Sequence, residues 1–389
     1  MTETTAATQS AIPRASLLTP EVVRFLLYAF LSCSAWAFPI SVVPLFVERH
    51  STLSALPGLM TGLMFFVTVL VELRTPHLMQ AAGYRTVLAV GTALAGCSAA
   101  LFLLTSATWA MVIVNAARGA GLALIVVAAT AAAVELFPAE RRAEGLGLYG
   151  LAITTPSILV VPLGVWLVDA AGFGTVFSIS FVLGALGVVL VTMVPVLAAD
   201  DHSPHGLLRL VRTPAVLRPT LVFAVSTLAM GVILTYLALA VGEDIAALGL
   251  LVHGICMALS RWLSGRIGDA LGPGRLFGPA LLVAGIGIAA VSATGNAAPV
   301  ILGMVLFGLG FGAGQTASLA VLFARTDRSK TAHVSAIWNL AFDAGMGLGA
   351  VGFGLVTGSM GYPFGFLLLA GLVLASVIPA WLDRATAAA

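Results

Sequence analysis

The chain has 389 residues, 60% of them hydrophobic and 9% charged, with a formal net charge of +2. Soluble domains carry about a quarter charged residues, so this composition describes an integral membrane protein and excludes most soluble enzyme classes. At roughly 30 residues per crossing with its connection, the length holds about a dozen membrane helices and leaves no room for a separate catalytic domain.

In chain order, residues 1–22 lack both a basic start and an early apolar run, which predicts a cytosolic tail and no signal peptide. Apolar stretches at 23–47, 56–80, 86–104, 108–136, 145–168 and 174–197 then predict spans 1 to 6 of an N-terminal half, 23–197. A loop at 198–217, with Asp200, Asp201, His202, Pro204, His205, Arg209, Arg212 and Pro214, separates it from a C-terminal half, 218–382. The spans of that half are predicted at 218–241, 245–268, 276–294, 297–324, 331–358 and 363–382, before a cytosolic tail at 383–389. These runs lack the alternation of a transmembrane barrel, so the expected class is all-α.

Orientation follows from the basic residues. Arg14, Arg24, Arg85, Arg141, Arg142, Arg209, Arg212, Arg218, Arg266, Arg275, Arg325, Arg328, Lys330 and Arg384 fall on one side of this arrangement, and Arg49 alone on the other. Both termini and the 198–217 loop are therefore expected in the cytosol. Arg exceeds Lys 17 to 1, a hint of a bacterial source and so of a bacterial inner membrane. Cys33, Cys97 and Cys256 are isolated in apolar runs and imply no disulfide framework.

The halves also repeat at a constant offset of 189: Gly83 matches Gly272, Gly119 and Gly121 match Gly308 and Gly310, and Gly172-Phe173 matches Gly361-Tyr362. Six spans per unit is an even number, so both units keep one orientation, the parallel repeat of a transporter with its site between the halves.

Several motifs fit that plan. GRIGDALGPGR at 265–275 has Gly265 for close helix approach, Asp269 for a basic partner or a helix N-terminus, Gly272 for a turn, and Arg275. Its first-half equivalent, PHLMQAAGYR at 76–85, keeps Gly83 and Arg85 but has Pro76 and Gln80 in place of Gly and Asp. Span 4 carries Arg118-Gly119-Ala120-Gly121, PAERRAEG follows at 138–145, and span 5 contains Pro162 and Gly164. With these motifs the chain resembles the major facilitator superfamily over nearly its whole length, and within it the bacterial drug or metabolite:proton antiporters. The resemblance implies twelve transmembrane helices in two six-helix pseudo-repeats. It also implies a cytosolic gate formed by Gly265, Asp269, Gly272 and Arg275, and a role for Arg118 beside a proton site. The alternative for Arg118 is a packing residue satisfied by carbonyls.

A charge placed centrally in a membrane helix costs about 2.5–3.5 kcal/mol on insertion scales, so each one present calls for a partner or a role. Glu72, Arg74, Arg118, Arg261 and Asp343 are such residues. Glu72 and Arg261 are equivalent by the offset, and either Arg261 or Arg74 could neutralise Glu72. Asp343 lies mid-span with Asn339 on the same face four residues earlier, making it the first candidate for proton coupling and Glu72 the second. Trp36, Tyr149, Gln315, Trp338 and Asn339 are candidates to line a substrate cavity, with Phe38 and Phe311 as further aromatics. His50, His77, His202, His205, His253 and His333 form no ligand set, and neither metal nor cofactor is expected.

These features predict a monomeric secondary transporter embedded in the lipid bilayer, not an enzyme, with a small-molecule substrate and protons as partners and no nucleic acid. Few polar candidates line the cavity, which favours export of an amphipathic drug-like compound or metabolite over proton-symport uptake of a nutrient. A membrane enzyme or a receptor is a third alternative, lacking a reactive constellation or an output domain.

Overall fold

The computed structural model describes residues 17–138, 141–195, 210–271, 274–327 and 330–386, and these are helical almost throughout. Span 1 is two helices, α1 (Pro20–Ala37) and α2 (Val42–Arg49). The apolar run continues through 38–41, but Pro39 has no N–H for the helical ladder and its ring crowds the preceding turn. The chain turns there and restarts with the Val43 N–H donating to the Pro39 carbonyl at 2.9 Å.

Span 2, expected to be continuous over 56–80, is likewise broken. Helix α3 (Leu56–Glu72) ends, Leu73 and Arg74 form a turn, and α4 (Thr75–Gly96) begins. Pro76 explains the position: it cannot donate to the carbonyl of Glu72 four residues earlier, yet it is tolerated in the first turn of α4. Glu72 is thereby set at a helix end. Helix α4 carries the rest of span 2 and, after Gly83 at φ 77°, most of span 3, which a 3₁₀ stretch (Cys97–Leu103) completes.

Span 4 is α5 (Thr108–Leu136), and α6 (Arg142–Val191) holds spans 5 and 6. The second half comprises α7 (Pro214–Val241), α8 (Glu243–Leu271), α9 (Gly274–Val291), α10 (Ala297–Ala324), α11 (Thr331–Ala375) and α12 (Val377–Thr386). Among the described residues nine helical segments are long and apolar enough to cross a membrane, and Leu56–Glu72 is a shorter apolar helix. Two of the nine, Glu144–Val191 and His333–Leu382, have 48 and 50 residues, too long for one crossing. Each is turned at a glycine in a conformation other residues resist, Gly172 (φ 77°, ψ 167°) and Gly361 (φ 77°, ψ 166°). Both limbs of α6 meet span 1: Gly164 abuts the Phe38 carbonyl just past α1, and the Ser180 hydroxyl donates to the Ala35 carbonyl at 2.8 Å. The fold is therefore all-α, with twelve crossings in two six-helix pseudo-repeats.

The repeat extends to atomic contacts. A Cβ at Gly121 would run into the Ala95 nitrogen and Gly91 carbonyl, and one at Gly310 into the Ala284 nitrogen and Ala280 carbonyl, each partner displaced by 189. Gly119 abuts the Met64 carbonyl as Gly308 abuts that of His253, the same displacement again. Gly272, the match of Gly83, lies outside the described residues.

An even number of crossings puts the start of α1 and the end of α12 at one end of the bundle, here called the terminal end, with Arg49 at the other. Toward the Arg49 end one apolar core runs through both halves, including Phe46, Met64 and Phe177 of the first and Tyr236, Phe307 and Phe353 of the second. Toward the terminal end the core divides. One cluster, including Phe25, Tyr28 and Phe137, belongs to the first half, while clusters around Phe223 and Phe277 and around Val334 and Ile337 belong to the second. The halves are thus joined at the Arg49 end and packed separately at the terminal end.

Candidate functional site

Two seams join the halves, α3 against α11 and α6 against α8. In the first, Gly62 abuts Val351 and Gly347 lies against Phe65; in the second, Gly254 lies against Ile158. Adding 189 to Phe65 and Ile158 gives Gly254 and Gly347, so the two seams are images of one another under the repeat.

Farther along the first seam, toward the terminal end, Glu72 of α3 and Asp343 of α11 meet with their carboxyl groups in hydrogen-bonding reach. Each residue is only 8% exposed. Glu72 is about 24 Å along α3 from Leu56, and Asp343 about 18 Å along α11 from Thr331, at 1.5 Å per residue. A hydrogen bond between two carboxyl groups requires a proton on one of them. Without it, two like charges face each other where little water can screen them.

This pairing corrects the expectation that Arg74 or Arg261 neutralises Glu72. Arg74 is exposed at the turn between α3 and α4 and makes no ion pair among the described residues. Arg261 is carried by the other seam. Equivalence in the repeat relates positions in different seams, and the residue that faces Glu72 across its own seam comes from α11.

Arg118 of α5 is 1% exposed, the bulkiest fully buried side chain described. Its Nη2 donates to the Trp36 carbonyl at 3.1 Å, its Nε has no partner, and no acidic side chain pairs with it among the described residues. The indole nitrogen of Trp36 is also buried without a partner. Tyr149 is buried within the first half, stacked on Phe25 at 5.7 Å with its hydroxyl 3.4 Å from that of Thr130. Trp338 is stacked on Phe223 at 4.6 Å, and its indole N–H donates to Ser318 at 3.0 Å. Asn339 is half-buried one turn before Asp343. Gln315 is buried in α10 with its side-chain oxygen unpartnered.

Of the gate motif, Gly265 departs from expectation: a Cβ there would meet nothing within 4 Å, so it permits no close helix approach in this conformation. Arg275 is exposed, whereas Gly272 and the side chain of Asp269 lie outside the described residues.

A contact the motif reading missed closes the opposite end. Arg49 of α2 forms an ion pair with Glu243 at the start of α8, and its guanidinium lies 5.0 Å from the centre of the Phe173 ring. The signal lay in the topology: Arg49 is the lone basic residue assigned to that side, and Glu243 opens span 8 there. Among the described residues there is no group of three or more His, Cys, Asp or Glu that could hold a metal.

Comparison with known proteins agrees with this architecture. The sequence model of the Major Facilitator Superfamily matches residues 25–350 and 220–388. No curated protein matches the chain in sequence. Among solved structures, a mutant of the nucleoside transporter NupG superposes with a TM-score of 0.77 at 12% identity, covering 94% of this chain and 99% of that one. A mutant peptide transporter POT in complex with sulfate gives 0.78 at 12% identity, covering 94% of each chain. The xylose transporter XylE from E. coli, in a partially occluded inward open conformation, gives 0.72 at 16% identity, covering 93% of this chain and 98% of that one. These likenesses are of fold, and with the family match over most of the sequence they lead to one conclusion: the chain belongs to the major facilitator superfamily.

Proposed function

We propose that the chain is a proton-coupled secondary transporter that exports a small amphipathic drug-like compound or metabolite by alternating access between its halves. The Glu72–Asp343 pair carries the reading. Each half supplies one carboxyl, so a shared proton lets α3 and α11 hold together, and its loss drives them apart. Proton binding is thereby linked to the separation of the halves, which is the coupling an alternating-access carrier needs.

Direction and placement rest on further features. The one-sided distribution of Arg and Lys supports a cytosolic terminal end in a bacterial inner membrane. Gly265, Asp269, Gly272 and Arg275 are then the cytosolic gate, engaged when that end closes. The scarcity of polar side chains between the halves supports an amphipathic cargo. A single chain contains both halves, which supports a working monomer, and the coupling requires no cofactor.

The test is substrate movement in proteoliposomes under an imposed pH gradient, across a panel of amphipathic compounds. The reading predicts gradient-driven flux in the wild type that Asp343→Asn and Glu72→Gln abolish. Flux indifferent to the gradient in the wild type would contradict it.

A further inference from the structure

The two seams are images under the repeat, yet their polar residues differ. Where the first holds Glu72 and Asp343, the second holds at the equivalent positions Arg261 of α8 and Thr154 of α6, since 72 plus 189 is 261 and 154 plus 189 is 343. The two carboxyls of the first seam are turned on each other. By contrast, Arg261 forms no ion pair or hydrogen bond among the described residues, and neither does the hydroxyl of Thr154.

The direction in which Arg261 is exposed follows from helix geometry. At 100° per residue, Ile255, Leu259, Trp262 and Leu263 form one exposed apolar face of α8, directed to lipid. Arg261 lies away from that face, in line with Gly254 two turns earlier, which is packed against Ile158 of α6. Its exposure is therefore into the space between the halves. An uncompensated guanidinium inside a span is tolerated where it lines a water-filled cavity and marks a substrate or ion path.

We propose that Arg261, with the Thr154 hydroxyl at the position the repeat equates with Asp343, binds an anionic group of the substrate, so that the cargo is an amphipathic organic anion such as an aryl-alkyl carboxylate. This rests on the transport reading and narrows its substrate class. Arg261 offers hydrogen-bond donors only, which call for an acceptor-rich partner. A guanidinium presents a planar fork that matches a carboxylate in two parallel bonds. The carboxyls of the other seam are already engaged with one another, and an organic cation would meet the charge of Arg261.

The test is equilibrium binding to the full-length protein in detergent, read by thermal stabilisation. The probes are matched series of phenylalkyl carboxylates, amines and alcohols of increasing chain length. The expected result is stabilisation by carboxylates alone, weakened at least tenfold in affinity by Arg261→Gln and partly restored by Arg261→Lys. Thr154→Val should give a smaller loss. Glu72→Gln should leave carboxylate binding intact while abolishing gradient-driven flux, which separates this proposal from the coupling reading. Carboxylate affinity unchanged in Arg261→Gln, stabilisation by amines in place of carboxylates, or no stabilisation by any carboxylate of the series overturns it. If Arg261→Gln proves unstable, competition among the three series on the wild type decides the charge preference by itself.

Discussion

Arg49 and Glu243 join the two halves of the bundle by an ion pair at the end where the apolar core is shared, with Phe173 against the guanidinium. The Arg49 side chain is 49% exposed and that of Glu243 21%, so the pair belongs with surface ion pairs worth about 0–1 kcal/mol. That is small against a folded domain but large against an equilibrium between two open states. Arg49→Gln or Glu243→Gln is predicted to shift the conformational equilibrium by up to about fivefold toward opening at this end. Accessibility of a cysteine placed at Thr61 of α3, whose hydroxyl is buried 3.3 Å from that of Thr235 across the halves, reports the shift. The exchange Arg49→Glu with Glu243→Arg should restore the wild-type value.

Gly121 and Gly265 separate glycines that fit the packing from one that does not in this state. Gly121→Val drives a side chain into the backbone of α4 and is predicted to cost about 1–3 kcal/mol or more, measured as a fall in melting temperature. Gly310→Val, its image in the repeat, should behave alike. Gly265→Ala meets open space, so it is predicted to be neutral or to gain up to about 1 kcal/mol from helix propensity. A slower transport cycle in a fully stable Gly265→Ala protein would place the close approach in the other conformation.

Arg118 is held by a carbonyl with its Nε unpartnered. Replacing a buried charge by an apolar group of similar length is often neutral or stabilising, whereas truncation leaves a cavity. Arg118→Met is thus predicted to keep or raise the melting temperature, while Arg118→Ala lowers it by about 2–5 kcal/mol equivalent. If Arg118→Met remains stable but loses gradient-driven flux, the guanidinium acts on the proton site and not on packing alone.

The twelve crossings and the offset of 189 were legible in the sequence because hydropathy and glycine register are one-dimensional signals. The breaks after Ala37 and Glu72 were not, because the apolar run passes through both. The cue was a single proline in each case, Pro39 and Pro76, whose missing N–H acts on the turn before it. The partner of Glu72 was hidden for a different reason. A repeat register identifies equivalent positions, and the arrangement of the halves sets equivalent positions in opposite seams: Glu72 in α3–α11, Arg261 in α6–α8. Pairing α3 with α11 first would have led from Glu72 to Asp343. The aromatic candidates Tyr149 and Trp338 were named by composition, whereas their burial and stacking depend on neighbours from other helices.

If a proton on the Glu72–Asp343 pair drives the cycle, Asp343→Asn should uncouple transport from the pH gradient. An amide at this position can still hydrogen-bond Glu72 but cannot release a proton. In proteoliposomes containing a carboxylate that binds the wild type, the account predicts that Asp343→Asn retains substrate counterflow without a pH gradient. It also predicts that flux driven by the gradient falls to the level of empty liposomes. Gradient-driven flux at the wild-type rate in Asp343→Asn would contradict the account.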